Sequence, residues 1–130
     1  MSDSEFFERV KAGELLLVGE FRGARVERRG YVDRKSGQAA QYLRAVYIVE
    51  GSCRGSIYRA IITQKLPTNI ESPGDVTFPY TKGQRLVFAL EGFKKERGQL
   101  LGWLGDQNPE PLENGNLPNL VCTETIPQHL

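Results

Sequence analysis

Residues 20–65 read EFRGARVERRGYVDRKSGQAAQYLRAVYIVEGSCRGSIYRAIITQK. This stretch holds ten Lys and Arg against four Asp and Glu, a local balance of +6 in a chain whose net charge is only +1. Runs of β-formers lie on both sides of a glycine turn, which is typical of paired strands. Four of the five tyrosines lie here, at positions 31, 42, 47 and 58. The sequence therefore predicts a β-ribbon of two to three strands that carries positive charge and aromatic rings together.

A ribbon of this composition suits single-stranded nucleic acid. Lysine and arginine neutralise phosphate, and every base has a flat face that can stack on an aromatic ring. The expected phosphate contacts are Arg28, Arg29, Lys35, Arg44 and Lys95, and the expected stacking rings are Tyr31, Tyr42 and Tyr58. The alternative is a solvated ribbon whose arginines serve only to keep a strand edge from aggregating.

The turn at the centre of the ribbon sets the expected register. Ser36-Gly37 as a two-residue loop places Tyr31 opposite Tyr42. The same register places Arg29 opposite Arg44, and all four side chains then share one face. Opposed arginines repel each other, and a bound anion would relieve that repulsion. A slip of one residue would move the whole set to the other face.

The chain divides into three expected parts within one domain-sized length of 130 residues. Residues 1–13 predict a short helix that starts after Ser2 or Ser4 and ends before Gly13. We expect this helix to act as a lid on one end of the core, with partner docking as the alternative. Residues 14–105 predict the β domain, and residues 106–130 an acidic, proline-rich and flexible tail.

The central part predicts a mainly β fold. Five strands are expected, at 15–32 with interruptions at two glycines, 42–50, 56–64, 84–93 and 99–104. A turn at 51–55 joins the second strand to the third, and a tight basic turn at 94–98 precedes the last. An irregular crossing at 66–83, with a short β-like piece at 76–80, precedes the fourth strand. This pattern favours a small five-stranded barrel of the OB type, in which the face of strands 2 and 3 binds oligonucleotides.

The order of features from residue 24 to 104 resembles that of the single-stranded-DNA-binding proteins of filamentous phages, the gene V protein type. The marks it shares are a basic wing with a glycine turn at 28–42, a Pro/Gly-rich crossing, and a Phe-Lys loop at 93–94. This chain is longer than that family at both ends. The resemblance implies a viral protein of DNA replication that binds DNA cooperatively as a homodimer. It also implies that rings stack on bases and cations meet phosphates at Arg28, Arg29, Tyr31, Lys35, Tyr42, Phe93 and Lys94.

Catalytic chemistry is not indicated. The lone histidine, His129, is the penultimate residue, and no phosphate loop, Gly-x-Ser-x-Gly elbow or His/Cys cluster is present. We therefore expect neither an enzyme nor a cofactor or metal. Cys53 is expected in a turn, and Trp103 is expected in the core.

The expected location is the cytoplasm. Cys53 and Cys122 lack a paired spacing, which favours a reducing compartment. The acidic start of the chain is unlike a signal peptide, and no apolar run approaches the length of a membrane span.

The leading hypothesis is thus a sequence-tolerant single-stranded-DNA-binding protein, with RNA as the other nucleic acid to consider. A second hypothesis is a protein-interaction or assembly module that docks through a β-edge and its C-terminal tail. The acidic tail favours the second, since it could recruit a protein partner. A third is a viral β-barrel protein that makes no nucleic-acid contact.

Overall fold

The computed structural model describes residues 1–53 and 56–113. Within these ranges the protein is mainly β, with one short α-helix and one turn of 3-10 helix at Pro73–Asp75. None of the helices found there is long and apolar enough to cross a membrane. The other elements are α1 (Asp3–Lys11), β1 (Leu16–Val32), β2 (Ala39–Cys53), β3 (Ser56–Lys65), β4 (Arg85–Glu96), β5 (Gln99–Leu104) and β6 (Glu110–Pro111).

Five of the strands close into a ring. The pairing runs from β1 to β2, β3, β5 and β4, and β4 pairs back with β1. Each of these pairings is antiparallel except that of β3 with β5. β1 serves two partners in turn, because residues 16–20 pair with β4 and residues 20–32 pair with β2. A register shift between Phe21 and Gly23 marks a bulge where β1 passes from one partner to the other, at the second of the two glycines that the sequence predicts to interrupt this strand.

The main core lies inside the ring. Alternation along β4 buries Leu86, Phe88 and Leu90 there, as the sequence predicts. The crossing between β3 and β4 packs against one end of the core, where the ring of Phe78 lies 5.5 Å from that of Tyr47. The predicted β-like piece at 76–80 is wrong, since these residues form no strand. Their aromatic side chains turn toward the core instead of pairing with a neighbouring strand.

The N-terminal helix begins and ends where the sequence predicts. The Ser2 hydroxyl accepts a hydrogen bond from the Glu5 N–H at 3.1 Å, and Gly13 follows the last turn with φ +93°. The predicted position of the helix at one end of the core is wrong. Phe6, which is buried, packs with Leu16 of β1 in a second hydrophobic cluster, apart from the core inside the ring.

This second cluster covers the outer side of β1 and β4. Leu16, Val18 and Val87 alternate with core residues and would otherwise face water, so they need a cover. Phe6 supplies it from the helix, and Leu112 supplies it from the segment after β5. We refer to this side of the ring as the covered wall.

The start of the predicted tail is part of the fold. β6 pairs with β4, and the amino group of Met1 donates to the Pro111 carbonyl at 2.8 Å. The remainder of the predicted tail, residues 114–130, lies outside the described residues.

The turn between β2 and β3 is narrower than the predicted 51–55, because β2 continues to Cys53. The turn before β5 narrows to Arg97-Gly98, whose φ values are 52° and 78°.

Candidate nucleic-acid interface

β1 and β2 extend past the ring as a hairpin whose register differs from the expected one. Tyr42 lies opposite Arg29, Tyr31 lies opposite Ala40, and Arg44 lies opposite Glu27. The predicted pairs, tyrosine with tyrosine and arginine with arginine, are wrong by two residues because the connection spans residues 33–38. A shift of two residues leaves each side chain on its predicted face. The predicted face therefore survives, and the predicted Arg–Arg repulsion does not.

The hairpin loop is ordered by its own hydrogen bonds. The Asp33 carboxylate accepts from the Lys35 N–H at 2.9 Å, as in an Asx turn. The backbone N–H of Asp33 donates to the Gln38 carbonyl at 2.8 Å, and Gly37 adopts φ +71°. The longer loop thus follows from Asp33, which competes with the two-residue turn that Ser36-Gly37 alone would favour.

A groove of about 410 Å³ lies on the outer face of β1, β2, β3 and β5. We call it the aromatic groove. Tyr31 and Trp103 in its walls are 48% and 43% exposed, which is high for rings of this size. Its lining residues are Tyr31, Tyr42, Arg44, Thr63, Lys65, Trp103 and Leu104.

Two contacts hold the tyrosines in place. The rings of Tyr31 and Tyr42 have centroids 6.0 Å apart and planes inclined at 57°. The Lys65 ammonium lies 5.4 Å from the centroid of the Tyr42 ring, within the range of a cation–π interaction. Tyr42 therefore links a second ring and a cation at one place in the groove. Lys65 was absent from the predicted site, although its register opposite Arg44 places it on this face.

Trp103 is the site residue that the sequence analysis missed. Its predicted place in the core is wrong, because alternation along β5 buries Leu100 and Leu104 and turns Trp103 outward. The indole lies against Gly92 of β4, where an added Cβ would come within 2.7 Å of Cε2 of the ring. Glycine at position 92 thus leaves room for the ring to rest on the sheet. The period-two pattern of residues 99–104 was the signal that could have found it.

Glu27 holds Arg25 and Arg44 in place on the face of the hairpin that bears the groove. The Glu27 carboxylate accepts from Arg44 at 2.8 Å and from Arg25 at 2.7 Å. These hydrogen bonds, that of Arg44 first, lower the pKa of the Glu27 carboxyl below its ordinary value. In the described ranges no acid lies within 4.0 Å of the charged groups of Arg29 or Lys65. Those two cations are therefore available to an anionic ligand.

The structure brings together about half of the predicted site. Tyr31, Tyr42 and Arg44 line the groove. Arg29 lies on the same face, and so does Lys94, which pairs with Glu96 at 3.4 Å. Lys35 lies in the exposed loop at the tip of the hairpin.

Four predicted residues lie elsewhere. Arg28 and Lys95 are exposed but alternate to the opposite face, across from Leu43 and Leu100. Phe93 packs against the core. Tyr58 also packs there, and burial raises the pKa of its hydroxyl. The stacking role predicted for Tyr58 and Phe93 does not fit these positions, because neither ring faces the groove.

Comparison with known proteins does not supply an assignment. No family model, curated protein or solved structure matches the chain. Among residues 1–53 and 56–113, no group of three His, Cys, Asp or Glu side chains is arranged to hold a metal ion. Interpretation of the site therefore depends on the chemistry of the groove itself.

Proposed function

We propose that the protein binds single-stranded DNA along the aromatic groove. The observation that supports this most is the meeting of three aromatic side chains and two cations in one groove. Tyr31, Tyr42 and Trp103 offer stacking surfaces, and Arg44 and Lys65 offer charge for the phosphates between stacked bases. Each stacked base contributes about 1–3 kcal/mol, with little dependence on its identity.

The order of strands in the ring supports an OB-type barrel for this proposal. In that fold the oligonucleotide lies on the face of strands 2 and 3, between the loops that join strands 1 to 2 and 4 to 5. The aromatic groove occupies the corresponding face, and both loops are basic. Arg34 and Lys35 lie in the first loop, and Arg97 lies in the second. The resemblance to the gene V type, and with it a cooperative homodimer, belongs to the same proposal.

A single strand fits the groove better than a duplex. In a duplex the flat faces of the bases are stacked on one another and cannot reach Tyr31 or Trp103. A positively charged surface alone would still bind duplex weakly through its phosphates. The difference in affinity between the two forms therefore measures the contribution of the rings.

Fluorescence anisotropy with labelled oligo-dT, oligo-U and a duplex, at about 20 mM and about 150 mM salt, tests the proposal. We expect tight binding to oligo-dT that weakens steeply with salt, and weaker binding to the duplex. The Tyr31→Ala/Tyr42→Ala double variant should lose about 1–3 kcal/mol per stacking ring. Binding that ignores salt, or no binding at low salt, would refute the proposal. The ratio of oligo-dT to oligo-U affinity decides between DNA and RNA.

A protein-interaction module is the second candidate, because the hairpin leaves a strand edge open. Phe21 still bonds to the backbone of Gly83 and Gln84, but beyond it β1 pairs only with β2 among the described residues, so its other edge can accept a strand there. Removal of residues 114–130 separates the two candidates, since it spares the packed segment that ends at Glu113. A DNA-binding protein should bind oligo-dT as well or better without those residues. An adaptor that docks through its tail should lose its protein partner.

A further inference from the structure

A second cavity, of about 700 Å³, lies at the end of the ring beneath the crossing between β3 and β4. We call it the end pocket. Its volume is within the range of small-molecule sites. Lys65 lines both this pocket and the aromatic groove, so the two are adjacent. Tyr47, Phe78 and Tyr80 give the end pocket aromatic walls.

Gln64 presents a fixed acceptor at this pocket. Its side chain is 5% exposed, and its Nε2 donates to the Gly105 carbonyl at 3.1 Å and to Oδ1 of Asn108 at 3.1 Å. These acceptors determine which end of the amide carries the nitrogen. Within the described ranges no protein donor reaches Oε1 of Gln64, which keeps some exposure to solvent. A ligand with an N–H group in the pocket can therefore donate to it.

Asn108 adds the complementary donor. Because its Oδ1 accepts from Gln64, its Nδ2 is the donor end of the same amide, and it has no acceptor among the residues that the structure describes. Gln64 and Asn108 both line the pocket, so its wall carries an acceptor and a donor. A single Asn or Gln amide binds adenine with its own acceptor and donor, because the edge of adenine carries an amino donor beside a ring-nitrogen acceptor. Here the acceptor and the donor come from two side chains.

The charge of the end pocket disfavours phosphate. Asp75 and Asp106 lie in its lining, and Lys65, at the boundary with the groove, is the one cation among the lining residues. Carboxylates repel a phosphate and accept hydrogen bonds from amino groups. The groove thus suits the backbone and stacked bases of a strand, whereas the pocket suits an uncharged base.

We propose that the end pocket receives one base of the bound strand and prefers adenine or cytosine to thymine or uracil. This inference rests on the proposed function. Cytosine presents an amino donor beside the N3 acceptor, which matches Gln64 and Asn108. Uracil presents a carbonyl beside an N–H, the reverse order. The protein would therefore be tolerant of sequence along the groove and selective at one nucleotide.

Anisotropy titrations with oligo-dC and oligo-dU at one salt concentration test this inference on the full chain. The two polymers have the same backbone and differ at the edge that the pocket would bind. We expect oligo-dC to bind on the order of fivefold to tenfold more tightly, the effect of one or two hydrogen bonds. Asn108→Asp removes the donor and keeps the acceptor for Gln64, so it should abolish the preference. Gln107→Glu makes the same charge change at an exposed neighbour outside the pocket and should leave the preference intact.

A second pair of variants tests access to the pocket. Thr68 is exposed at its lining, so Thr68→Trp should obstruct it without disturbing the core. Oligo-dC should then bind no better than oligo-dU, while Thr81→Trp, on the same crossing but outside the pocket, should retain the preference. Equal affinity of the unchanged protein for the two polymers would overturn the inference and leave the groove proposal standing. A preference that survives both Asn108→Asp and Thr68→Trp would also overturn it. Failure to bind either polymer would overturn both proposals.

Discussion

The two outer walls of the ring differ in what covers them. On the covered wall, Leu16 and Val87 are at most 2% exposed because Phe6 and Leu112 pack on them. On the wall of the aromatic groove, no element of the described chain covers Trp103, which remains 43% exposed. Both walls carry large apolar groups, yet only one of them is closed.

The covered wall contributes to the stability of the fold, whereas the exposed wall leaves its rings accessible to a ligand. Burial of apolar surface is the main stabilising term in folding, so the covered wall contributes to the folded state. Exposed rings do not contribute this free energy of burial to folding, and a ligand that stacks on them would bury the same surface on binding. Under the proposed function that ligand is an anionic polymer, to which Arg44 and Lys65 beside the rings would bind. A substitution on the covered wall should therefore mainly lower the free energy of unfolding. A substitution in the aromatic groove should mainly weaken binding.

The largest effect is expected on the covered wall. Phe6→Ala should lower the free energy of unfolding by about 3–5 kcal/mol, since a 2% exposed ring leaves a cavity. The adjacent Phe7, which is 46% exposed, is the matched control, and Phe7→Ala should cost less than about 1 kcal/mol. Urea denaturation followed by circular dichroism measures both. Equal losses would show that the helix does not cover the wall as described.

The corresponding change in the groove should act on binding. Trp103→Ala should weaken oligo-dT binding by about 1–3 kcal/mol through the loss of one stacking surface. Its effect on the free energy of unfolding should be smaller than that of Phe6→Ala, because the ring is already partly in water. Anisotropy and urea denaturation of the same preparation give both quantities. A variant that is destabilised but binds normally would place Trp103 with the core residues.

Gly92→Ala should disturb the groove without removing a ring. The added Cβ would meet the indole of Trp103 and force it off its position on β4, at a cost of about 1 kcal/mol in binding. Gly30 is the matched control, since a Cβ there would come no closer than 3.9 Å to the Ala40 carbonyl. Gly30→Ala should leave oligo-dT affinity unchanged. Loss of affinity in both variants, or in neither, would contradict the role of Gly92.

Variants of Arg44 and Arg28, which lie on opposite faces of the hairpin, test which face binds phosphate. Arg44→Gln should reduce the slope of log affinity against log salt by about 1, the effect of losing one phosphate contact. Arg28→Gln makes the same change in net charge on the opposite face and should alter the slope less. Anisotropy at four or more salt concentrations gives the slopes. Equal changes would mean that the charge of the hairpin matters and its face does not.

The smallest effect concerns pH. Ion pairs with Arg44 and Arg25 lower the pKa of Glu27 in the folded protein, so its contribution to stability is present above the unfolded pKa, about 4.3, and is lost as pH falls through the folded value. Glu27→Gln should therefore reduce the acid-induced fall in melting temperature, with a cost at pH 7 below about 1 kcal/mol. Glu8, an exposed helix residue without an ion pair among the described residues, is the control. A Glu8→Gln variant with the same pH profile as Glu27→Gln would refute this assignment.

Local chemistry predicted most of the fold. The cap at Ser2, the stop at Gly13 and the bend in β1 follow from the physical preferences of single residues. The alternation of β4 likewise predicted which of its residues enter the core. What alternation does not show is whether an outward apolar residue meets water or another element. Val87 alternates with core residues and so faces outward on β4, and the tertiary positions of α1 and of Leu112 explain why it is buried.

The site was predicted less completely because it joins strands that are distant in sequence. Composition identified the basic, tyrosine-bearing hairpin. The predicted register was wrong by two residues, and because side chains alternate along a strand, Tyr31 and Tyr42 still share one face. Trp103 enters the groove only because β5 lies beside β3, a parallel pairing between residues some 40 positions apart. Tyr58 was included for its residue type, whereas its strand position turns it toward the core.

The intrinsic fluorescence of Trp103, the single tryptophan of the chain, tests the central claim most directly. Oligo-dT should be titrated into the protein while tryptophan emission and the anisotropy of the labelled oligonucleotide are recorded together. If a base stacks on the indole, emission should be quenched and should saturate at the same oligonucleotide concentration as the anisotropy. Binding that leaves the emission of Trp103 unchanged, or an absence of binding at low salt, would contradict the account.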